Sequence, residues 1–392
     1  MCPPYDVISD EQNEKLHARS EHNAIRLELG RSEAGDEARY QRARETFDSW
    51  LEAGVLRRDE TPGLYVYRQD FAAPDGSRRR VIGTLGALAL EEFGDTSGVL
   101  PHERTMAGPK EDRLKLLRAL PVNISPIYAI YRGAGGLTPW YEALENRPTA
   151  ARFADDAGIL HRLWTVTAPA EIEMVRAALR PGPLVIADGH HRYETALNNH
   201  RERVAAGDAG EHDAIMTFVV DADSEGLVVL PYNRAVRVSA SRSEIAAKLV
   251  KEFSARPIEA EDAYDELDGS QADHPMVFVL GDEALLAEAS DADVTEATGP
   301  RHEDWRKLDV VALHEAVLPR VVGDAQPEFA FSKDAREVRS LVQEGWTFGV
   351  LLRPLRPADI VDVARSGERM PQKASYFWPK AITGLTFRPL AG

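Results

Sequence analysis

The chain has 392 residues, with 47 Lys and Arg against 64 Asp and Glu, so its formal charge at neutral pH is −17. This length exceeds what one hydrophobic core usually supports and predicts two packed units, and a hydrophobic fraction of 43% is enough to build their cores. The acidic balance argues against non-specific nucleic-acid binding, because phosphate neutralisation needs clustered Lys and Arg. The single cysteine, Cys2, excludes an intramolecular disulfide and a cysteine-based zinc cluster.

No apolar run approaches the roughly 20 residues that span a bilayer, and the longest candidates, 81–90 and 120–131, have the length of core strands. The first residues have neither the basic flank nor the apolar stretch of a secretory signal. We therefore expect no membrane partner and a cytoplasmic protein.

In chain order, a helical region comes first and a β-meander follows it. Residues 10–56 have a helical pattern with Phe47, Trp50 and Leu51 on one face. Two strands, 64–67 and 80–90, flank an Asp75-Gly76 turn, which is a hairpin signal. The basic run 78–80 is interpreted as a solvated hairpin arm, with a phosphate-binding patch as the alternative.

The remaining elements alternate between helix and strand. Helices are predicted at 110–120, 171–179, 193–203 and 239–253, and strands at 125–131, 160–166, 184–187, 215–220 and 227–230. The acidic segment 259–270 is predicted to be a surface connection. This order predicts an α+β fold: a mixed, mainly antiparallel sheet core with packed helices in a domain at 1–238, and a second α/β unit at 239–392 whose end loop returns to the site.

The segment Asp188-Gly189-His190-His191-Arg192 lies between an apolar strand and a run of helical composition. A helix N-terminus presents backbone N–H groups and the positive end of the helix dipole, so it stabilises an anion. Gly189 permits close approach to the backbone, Arg192 suits phosphate binding, and both histidines are able to donate to phosphate oxygens. Asp188 is a candidate to hold a metal ion or accept a substrate proton. The alternative is a capped turn with two surface histidines, and we favour the functional interpretation.

The string His102-Glu103-Arg104-Thr105 follows a predicted strand. A carboxylate beside His and Thr on a loop suits a general base. Met106 stands where a His-Glu-x-x-His zinc motif requires histidine, so that motif is excluded. A polar loop that caps the next helix is the alternative.

Near the end of the chain, Lys373 and Lys380 bracket Tyr376, Phe377 and Trp378. One interpretation is a loop whose lysines close over a phosphate. The other is a core strand along which the lysine stems pack. The sequence leaves both open. The opening segment 3–9 is predicted to be a rigid turn that leads to a helix N-cap at residue 9.

These motifs, in this order, resemble the family known as domain of unknown function 1015. The resemblance covers essentially the whole chain, and its carriers are the segments 3–9, 64–67, 102–105 with 110 and 112–113, 187–195, 308–310, 370–373 and 379–380. Where members usually have Lys-Ser-Thr-Tyr-Phe, this chain has Ala374 in the second position, so a hydroxyl contact is missing there.

The central motif is similar to that of the ParB/sulfiredoxin-like superfamily, whose members place a Gly-x-His-Arg-type turn under the phosphates of a nucleotide. That superfamily includes free L-serine kinases, the CTP-binding ParB partition proteins and sulfiredoxin. The resemblance therefore implies a ParB/sulfiredoxin-like core in the first domain and a protein that handles phosphate.

On this basis we expect a small-molecule phosphotransferase that uses ATP, ADP or pyrophosphate with Mg²⁺, and free L-serine or a similar hydroxyl compound as acceptor. Glu103 is the predicted general base, His191 a further catalytic residue, and Asp188 the group that orients the acceptor or binds Mg²⁺. The predicted phosphate or nucleotide contacts are His102, Thr105, Gly189, His190, Arg192, Lys373 and Lys380.

Two other functions stay open. One is a nucleotide-binding regulatory module in the manner of the partition proteins, although the charge of −17 argues against DNA as its partner. The other is a metal-dependent hydrolase with His102, His190, His191 and Asp188 as ligands. A sulfiredoxin-like reductase is disfavoured, because histidine occupies the position where that chemistry needs a thiol.

Overall fold

The computed structural model describes residues 1–31, 37–94, 96–103, 108–208 and 210–390. The chain forms two compact units. The first contains Met1–Pro101, Thr105–Val228 and Pro379–Gly392, and the second contains His102–Arg104 and Val229–Trp378. The main boundary therefore follows Val228, whereas the sequence analysis placed it after residue 238. The last residues of the chain belong to the first unit.

The first unit is built on an eight-stranded sheet with the strand order β3-β8-β5-β9-β2-β1-β7-β6. Its strands are β1 Leu64–Ala72, β2 Arg78–Ala89, β3 Val99–Pro101, β5 Ile127–Tyr131, β6 Ala151–Ala154, β7 Leu160–Val166, β8 Leu184–Asp188 and β9 Ala214–Asp221; a separate short pair joins β4 Val122–Asn123 to β18 Arg388–Pro389. The pairs β3–β8 and β5–β9 are parallel and the others antiparallel. This confirms the predicted mixed, mainly antiparallel sheet.

The central strands β5 and β8 are apolar because they are buried. All five residues of β5 are buried, and so are the first four of β8. A continuous apolar run is expected where both faces of a strand are covered. At the sheet's hairpin, Gly76 at φ 78° closes the Asp75-Gly76 turn, and Arg79 pairs with Asp75 at 3.4 Å. The basic run is therefore part of a hairpin arm, as predicted.

The helices of the first unit pack around this sheet. They are α1 Asp10–Arg19, α2 Ile25–Glu28, α3 Ala38–Glu52, α4 Gly108–Ala119, α5 Thr138–Leu144, α6 Pro169–Leu179 and α7 His190–Ala205, with a 3-10 turn at Tyr5–Val7. The predicted N-cap at Ser9 is confirmed, because its side chain accepts from the amide of Gln12 in a capping box. The helical pattern of residues 10–56 corresponds to α1, α2 and α3.

The second unit has a six-stranded antiparallel sheet with the order β12-β14-β13-β16-β11-β15 and a two-stranded pair, β10–β17. Its strands are β10 Val228–Pro231, β11 Asn233–Arg237, β12 Arg256–Ile258, β13 His274–Leu280, β14 Glu283–Ala289, β15 Glu328–Ser332, β16 Phe348–Leu351 and β17 Ser375–Trp378. The helices are α8 Arg242–Phe253, α9 Ala263–Gly269, α10 Asp291–Thr298, α11 Glu303–Arg306, α12 Asp309–Val311, a π-helical turn Ala312–Val317, α13 Leu318–Val322, α14 Ala335–Gln343 and α15 Pro357–Arg365, with a 3-10 turn at Ala260–Asp262.

The acidic segment 259–270 is not the surface connection that the sequence analysis predicted, since it contains α9. Ala263 and Leu267 of this helix are buried against the six-stranded sheet. The two apolar residues are four positions apart and share one helix face, while the acidic residues occupy the rest of the surface. Among the described residues, no helix has the length and apolar character needed to cross a membrane.

Candidate phosphate-binding site

The candidate site begins where β8 ends and α7 starts. Gly189 joins them with φ 89° and ψ 28°, in the left-handed region that favours glycine. A Cβ atom at this position would lie 2.9 Å from Nε and Nη2 of Arg192 and 2.9 Å from a methyl group of Ile127. Both the backbone conformation and the space beside it therefore require glycine. As predicted, the motif forms a strand, a tight turn and a helix N-terminus.

Arg192 lies one helical turn after Asp188 and turns back toward it. Its Nη2 donates to Oδ2 of Asp188 at 2.7 Å, and its Nη1 donates to the backbone carbonyl of Pro126 at 2.5 Å. The Nε atom is buried and has no hydrogen-bond partner among the described residues. About a tenth of the side chain is exposed. Arg192 therefore stands at the helix N-terminus as a buried cation with one donor still to satisfy.

Lys380 reaches the same carboxylate from the C-terminal segment of the first unit. Its ammonium donates to Oδ1 of Asp188, and only 10% of its side chain is exposed. The backbone carbonyl of Lys380 accepts a hydrogen bond of 3.0 Å from Nε2 of Gln69, a fully buried residue on β1. Of the two lysines singled out in the sequence, the structure thus brings Lys380 to the predicted turn.

These two cations dominate the electrostatics of Asp188. Burial raises the pKa of the carboxyl group, but the charges of Lys380 and Arg192 outweigh it and lower the pKa to about 2. His190, which is buried, contributes in the same direction. The carboxylate is therefore ionised at neutral pH and is a weak base, so its contacts favour an orienting role over proton abstraction.

The same contacts do not fit the predicted role of Asp188 as a magnesium ligand. Mg²⁺ takes oxygen ligands in near-octahedral geometry, and both oxygens of this carboxylate already accept from cationic side chains. Across the described part of the chain, no three His, Cys, Asp or Glu side chains are grouped as a metal site requires.

Further charged groups lie around the N-terminal segment, which the sequence analysis predicted to be a rigid turn. The guanidinium carbon of Arg113 lies 4.4 Å from the ring centroid of Tyr5, and its Nη1 donates to the side chain of Glu28 at 3.3 Å. Burial raises the pKa of Tyr5 to about 12, although the charge of Arg192 opposes this shift. The opening motif and the 188–192 turn therefore share one electrostatic environment.

Glu28 is the residue that the sequence analysis missed. It is 4% exposed, and burial raises its pKa while Arg113 and Arg192 act in the opposite direction. In the segment 25–29, Arg26 and Glu28 alternate with apolar residues, so both charged residues were expected to face solvent. No local feature of the sequence distinguishes this carboxylate from an exposed one.

Helix α7 is also paired along its length with α4. Lys110 forms an ion pair with Glu194, and Arg118 pairs with Glu202 at 2.6 Å. Both α7 residues lie on one face, eight positions apart. His191 is half-buried at the start of the helix. These contacts fix the direction of α7 and with it the position of its N-terminus.

Three other predicted residues belong to the second unit. His102 is buried, and its Nε2 lies 3.0 Å from the hydroxyl of Ser375. Glu103 forms an isolated parallel bridge with Met370. Lys373 has φ 56°, and its ammonium lies 5.4 Å from the ring centroid of Tyr232.

The open question about the terminal aromatic residues is also answered within this unit, since Tyr376 and Phe377 are buried in strand β17. Thr105, the remaining predicted phosphate contact, lies outside the described residues.

The fold and the site together define a mixed α+β protein with a charged strand–turn–helix motif. Residues 1–311 match the family described as Protein of unknown function (DUF1015), and the chain belongs to that family. No curated protein matches this sequence.

Comparison with solved structures gives limited likenesses. A C-terminally truncated SbnI from Staphylococcus aureus is 13% identical, with a TM-score of 0.41, over 78% of this chain and 87% of its own. A free serine kinase in complex with AMP is 13% identical, with a TM-score of 0.36, over 73% of this chain and 88% of its own. A conserved hypothetical protein from Pyrococcus furiosus is 12% identical, with a TM-score of 0.37, over 73% of this chain and 90% of its own. At such TM-scores these likenesses carry no argument about the site.

Proposed function

We propose that this protein is a small-molecule phosphotransferase whose phosphoryl donor binds at the turn Asp188-Gly189-His190-His191-Arg192. The observation that carries the proposal is the pairing of two buried cations, Lys380 and Arg192, with one carboxylate at the N-terminus of the 16-residue helix α7. These three side chains alone carry one net positive charge, and the helix dipole adds to it, while Asp6 and Glu28 also act on Arg192.

Phosphoryl transfer requires positive charge close to the transferred phosphate group. The reaction needs a positioned donor and neutralised phosphate charge, and little covalent chemistry from the protein. In this proposal Lys380 and Arg192 bind phosphate oxygens, His191 lies at the half-buried start of the helix, and Asp188 holds the two cations in place before the donor arrives. A site that is organised in advance stabilises the transition state without reorganisation.

The donor and the acceptor follow from the sequence resemblance. It implies ATP, ADP or pyrophosphate as donor and a small hydroxyl compound, with free L-serine as the first candidate, as acceptor. Magnesium enters this proposal with the donor's phosphates, since Mg²⁺ commonly keeps waters and substrate phosphates as ligands. Glu103 as general base, with His102 and Thr105 as further contacts, stays a prediction that mutagenesis has to test.

The experiment is a transfer assay with L-serine and Mg²⁺, with ATP, ADP and pyrophosphate supplied in turn and phosphoserine detected by ³¹P NMR. We expect product with at least one donor. Lys380→Met is expected to lower the rate about 100-fold or more, the usual effect of removing one charge-stabilising donor. Glu103→Gln tests the general base in the same assay.

The matched control is Lys251→Met, which removes the same charge from an exposed position of the second unit. It is expected to leave the rate unchanged. If no donor gives phosphoserine, serine is not the acceptor. If a nucleotide binds and no acceptor is phosphorylated, the regulatory nucleotide-binding module replaces the enzyme.

A further inference from the structure

The second unit contains a fully buried arginine that has no carboxylate partner among the described residues. Arg234 lies on β11 with none of its surface exposed. Its Nε donates to Nε2 of His314 at 3.3 Å, its Nη1 donates to the carbonyl of Tyr232, and its Nη2 donates to the carbonyl of Lys373 at 3.1 Å. These neutral acceptors satisfy hydrogen bonds but leave the charge uncompensated, which is unfavourable in a protein interior.

Among the described residues, the hydrogen-bond partners of Arg234 are neutral groups. Burial lowers the pKa of Arg234 to about 9, so the group stays charged at neutral pH. Burial, followed by the charge of Arg234, lowers the pKa of His314 to about 3, so this histidine is neutral. His314 belongs to the π-helical turn Ala312–Val317, a rare conformation that occurs frequently at functional sites.

Two lysines and a group of aromatic rings lie beside this arginine. Lys373 is 5.4 Å from the ring centroid of Tyr232, and that ring is 5.4 Å from the ring of Tyr376. Lys333 lies 4.6 Å from the centroid of Tyr376 and 4.2 Å from that of Trp378. The two contacting tyrosine rings therefore place both ammonium groups on one aromatic patch.

The backbone at Lys373 is held in an unusual conformation. Its φ of 56° lies in the left-handed region, which costs free energy for a residue with a side chain. The hydrogen bond from Arg234 to its carbonyl stabilises this conformation. Arg234 is thus both a source of positive charge and the residue that positions Lys373.

We propose that Lys373 and Lys333, backed by the buried Arg234, form an oxyanion site of the second unit that takes a phosphate group. Lys333 is exposed and Lys373 half-buried, so the ligand contacts the two ammonium groups, while the buried Arg234 holds the backbone carbonyl of Lys373. Asp334 interacts with Lys333, so the three cations and this carboxylate keep two net positive charges, which a phosphate with a charge between −1 and −2 matches better than a single carboxylate does. The inference goes beyond the proposed function and uses residues of the second unit alone.

The test is isothermal titration of the full chain at low salt with inorganic phosphate, pyrophosphate, AMP and, as the carboxylate comparison, acetate. Lys373→Met and Lys333→Met are each expected to weaken phosphate binding about tenfold or more, because each removes a charge-assisted contact. Lys251→Met is expected to bind as the wild type does. Inorganic phosphate and AMP together show whether the site takes free phosphate or the phosphoryl group of a larger molecule.

Arg234→Lys tests the role of the buried arginine, because this variant keeps the charge and loses the forked contacts to two carbonyls. We expect weaker phosphate binding in this variant, and the lysine variants decide the question if it does not fold. Equal phosphate affinity in the wild type and in both lysine variants would overturn the inference.

Lys380→Met separates the two proposals. If it alone abolishes all phosphate and pyrophosphate binding, the inference about the second unit fails and the proposed function stands. If Lys373→Met and Lys333→Met abolish binding and Lys380→Met has no effect, the proposed donor site fails instead.

Discussion

At the scale of single residues, Asp188 connects most of the charges in the candidate site. Each of its oxygens accepts from a different cation, Arg192 from the same helix and Lys380 from the C-terminal segment of the first unit. Only 10–13% of each of these three side chains is exposed. Removing the carboxylate would deprive both cations of this negative charge in a poorly solvated place.

The variant Asp188→Asn measures how much the carboxylate contributes to the stability of the fold. We expect the free energy of unfolding to fall by about 3 kcal/mol at pH 7, as is typical when one partner of a buried ion pair is removed. Urea unfolding followed by circular dichroism gives the value. A loss below about 0.5 kcal/mol would mean that the pairing contributes nothing to the fold.

The same comparison has a defined pH dependence. The folded-state pKa of Asp188, about 2, lies below the unfolded value of about 3.9, so its contribution is complete above about pH 5 and disappears as the pH falls toward 2. The stability difference between wild type and Asp188→Asn should therefore be constant between pH 7 and pH 5 and shrink at pH 3. A difference that grows on acidification contradicts the assignment.

Gly189, at the start of α7, offers a second test, with Gly207 near the end of the same helix as its control. Gly189→Ala places a Cβ 2.9 Å from Arg192 and Ile127 at positive φ, whereas Gly207, just after α7, also has positive φ and no neighbour within 4 Å. Gly207→Ala therefore reports the cost of the backbone conformation alone, about 1 kcal/mol. We expect Gly189→Ala to lower the free energy of unfolding by at least 1 kcal/mol more. Equal losses in the two variants would show that the space beside Gly189 is not needed.

At the scale of elements, the first unit closes by joining the two ends of the chain. Cys2 forms an antiparallel bridge with Thr383, with hydrogen bonds of 3.1 and 2.9 Å between their backbones. Gln69 on β1 holds the carbonyl of Lys380, and β18 pairs with β4. The segment that carries Lys380 is thus fixed at several points, which is what a positioned cation requires.

The lone cysteine reports on this closure. Burial raises the pKa of Cys2 to about 12, and the side chain is 1% exposed. We expect iodoacetamide at pH 8 to alkylate native protein at least about 100-fold more slowly than urea-unfolded protein, because the thiolate is the reactive form. Mass spectrometry of the intact chain measures both rates. Similar rates in the two states would show that the ends of the chain are not joined.

Local patterns were sufficient to predict the turn at residues 188–192. Its strand, glycine and helix are contiguous, so composition and spacing reveal them together. The pairing of Lys380 with Asp188 depends on tertiary contacts between distant segments, and the sequence indicated only that Lys373 or Lys380 contacts phosphate. Glu28 was missed for a different reason: its burial is compensated by Arg113, a partner that is far away in sequence.

Helix α9 was missed for another reason. The acidic composition of its segment outweighed the short apolar pattern that indicates a helix. Its acidic residues suggested a solvated connection, and the two apolar residues that pack it, Ala263 and Leu267, were too few to stand out. In the second unit, the hydrogen bonds from Arg234 to backbone carbonyls were also not predictable, because every residue has a carbonyl and the sequence does not show which one accepts.

At the scale of the whole molecule, the second unit is nearly continuous in sequence. All six strands of its main sheet come from residues 233–351, and its core cluster lies within the same part of the chain. A unit with its own sheet and core is expected to fold without the remainder of the chain.

The fragment 229–378 tests this expectation. We expect it to unfold in urea in one cooperative transition, with a circular dichroism spectrum of mixed helix and strand. The fragment 1–228, which lacks the C-terminal segment with Lys380, serves as the comparison and is expected to be much less stable. A broad, non-cooperative transition in 229–378 would contradict the division of the chain.

The central claim is that the turn at residues 188–192 and Lys380 bind the phosphates of a nucleotide. Hydrogen–deuterium exchange with and without ADP locates binding on the chain and so tests this claim most directly. In the wild type we expect ADP to slow exchange in peptides that cover 189–193 and 379–383, and we expect this protection to be lost in Lys380→Met and kept in Lys251→Met. If ADP binds and exchange in those two peptides does not change, the phosphates lie elsewhere and the account is wrong.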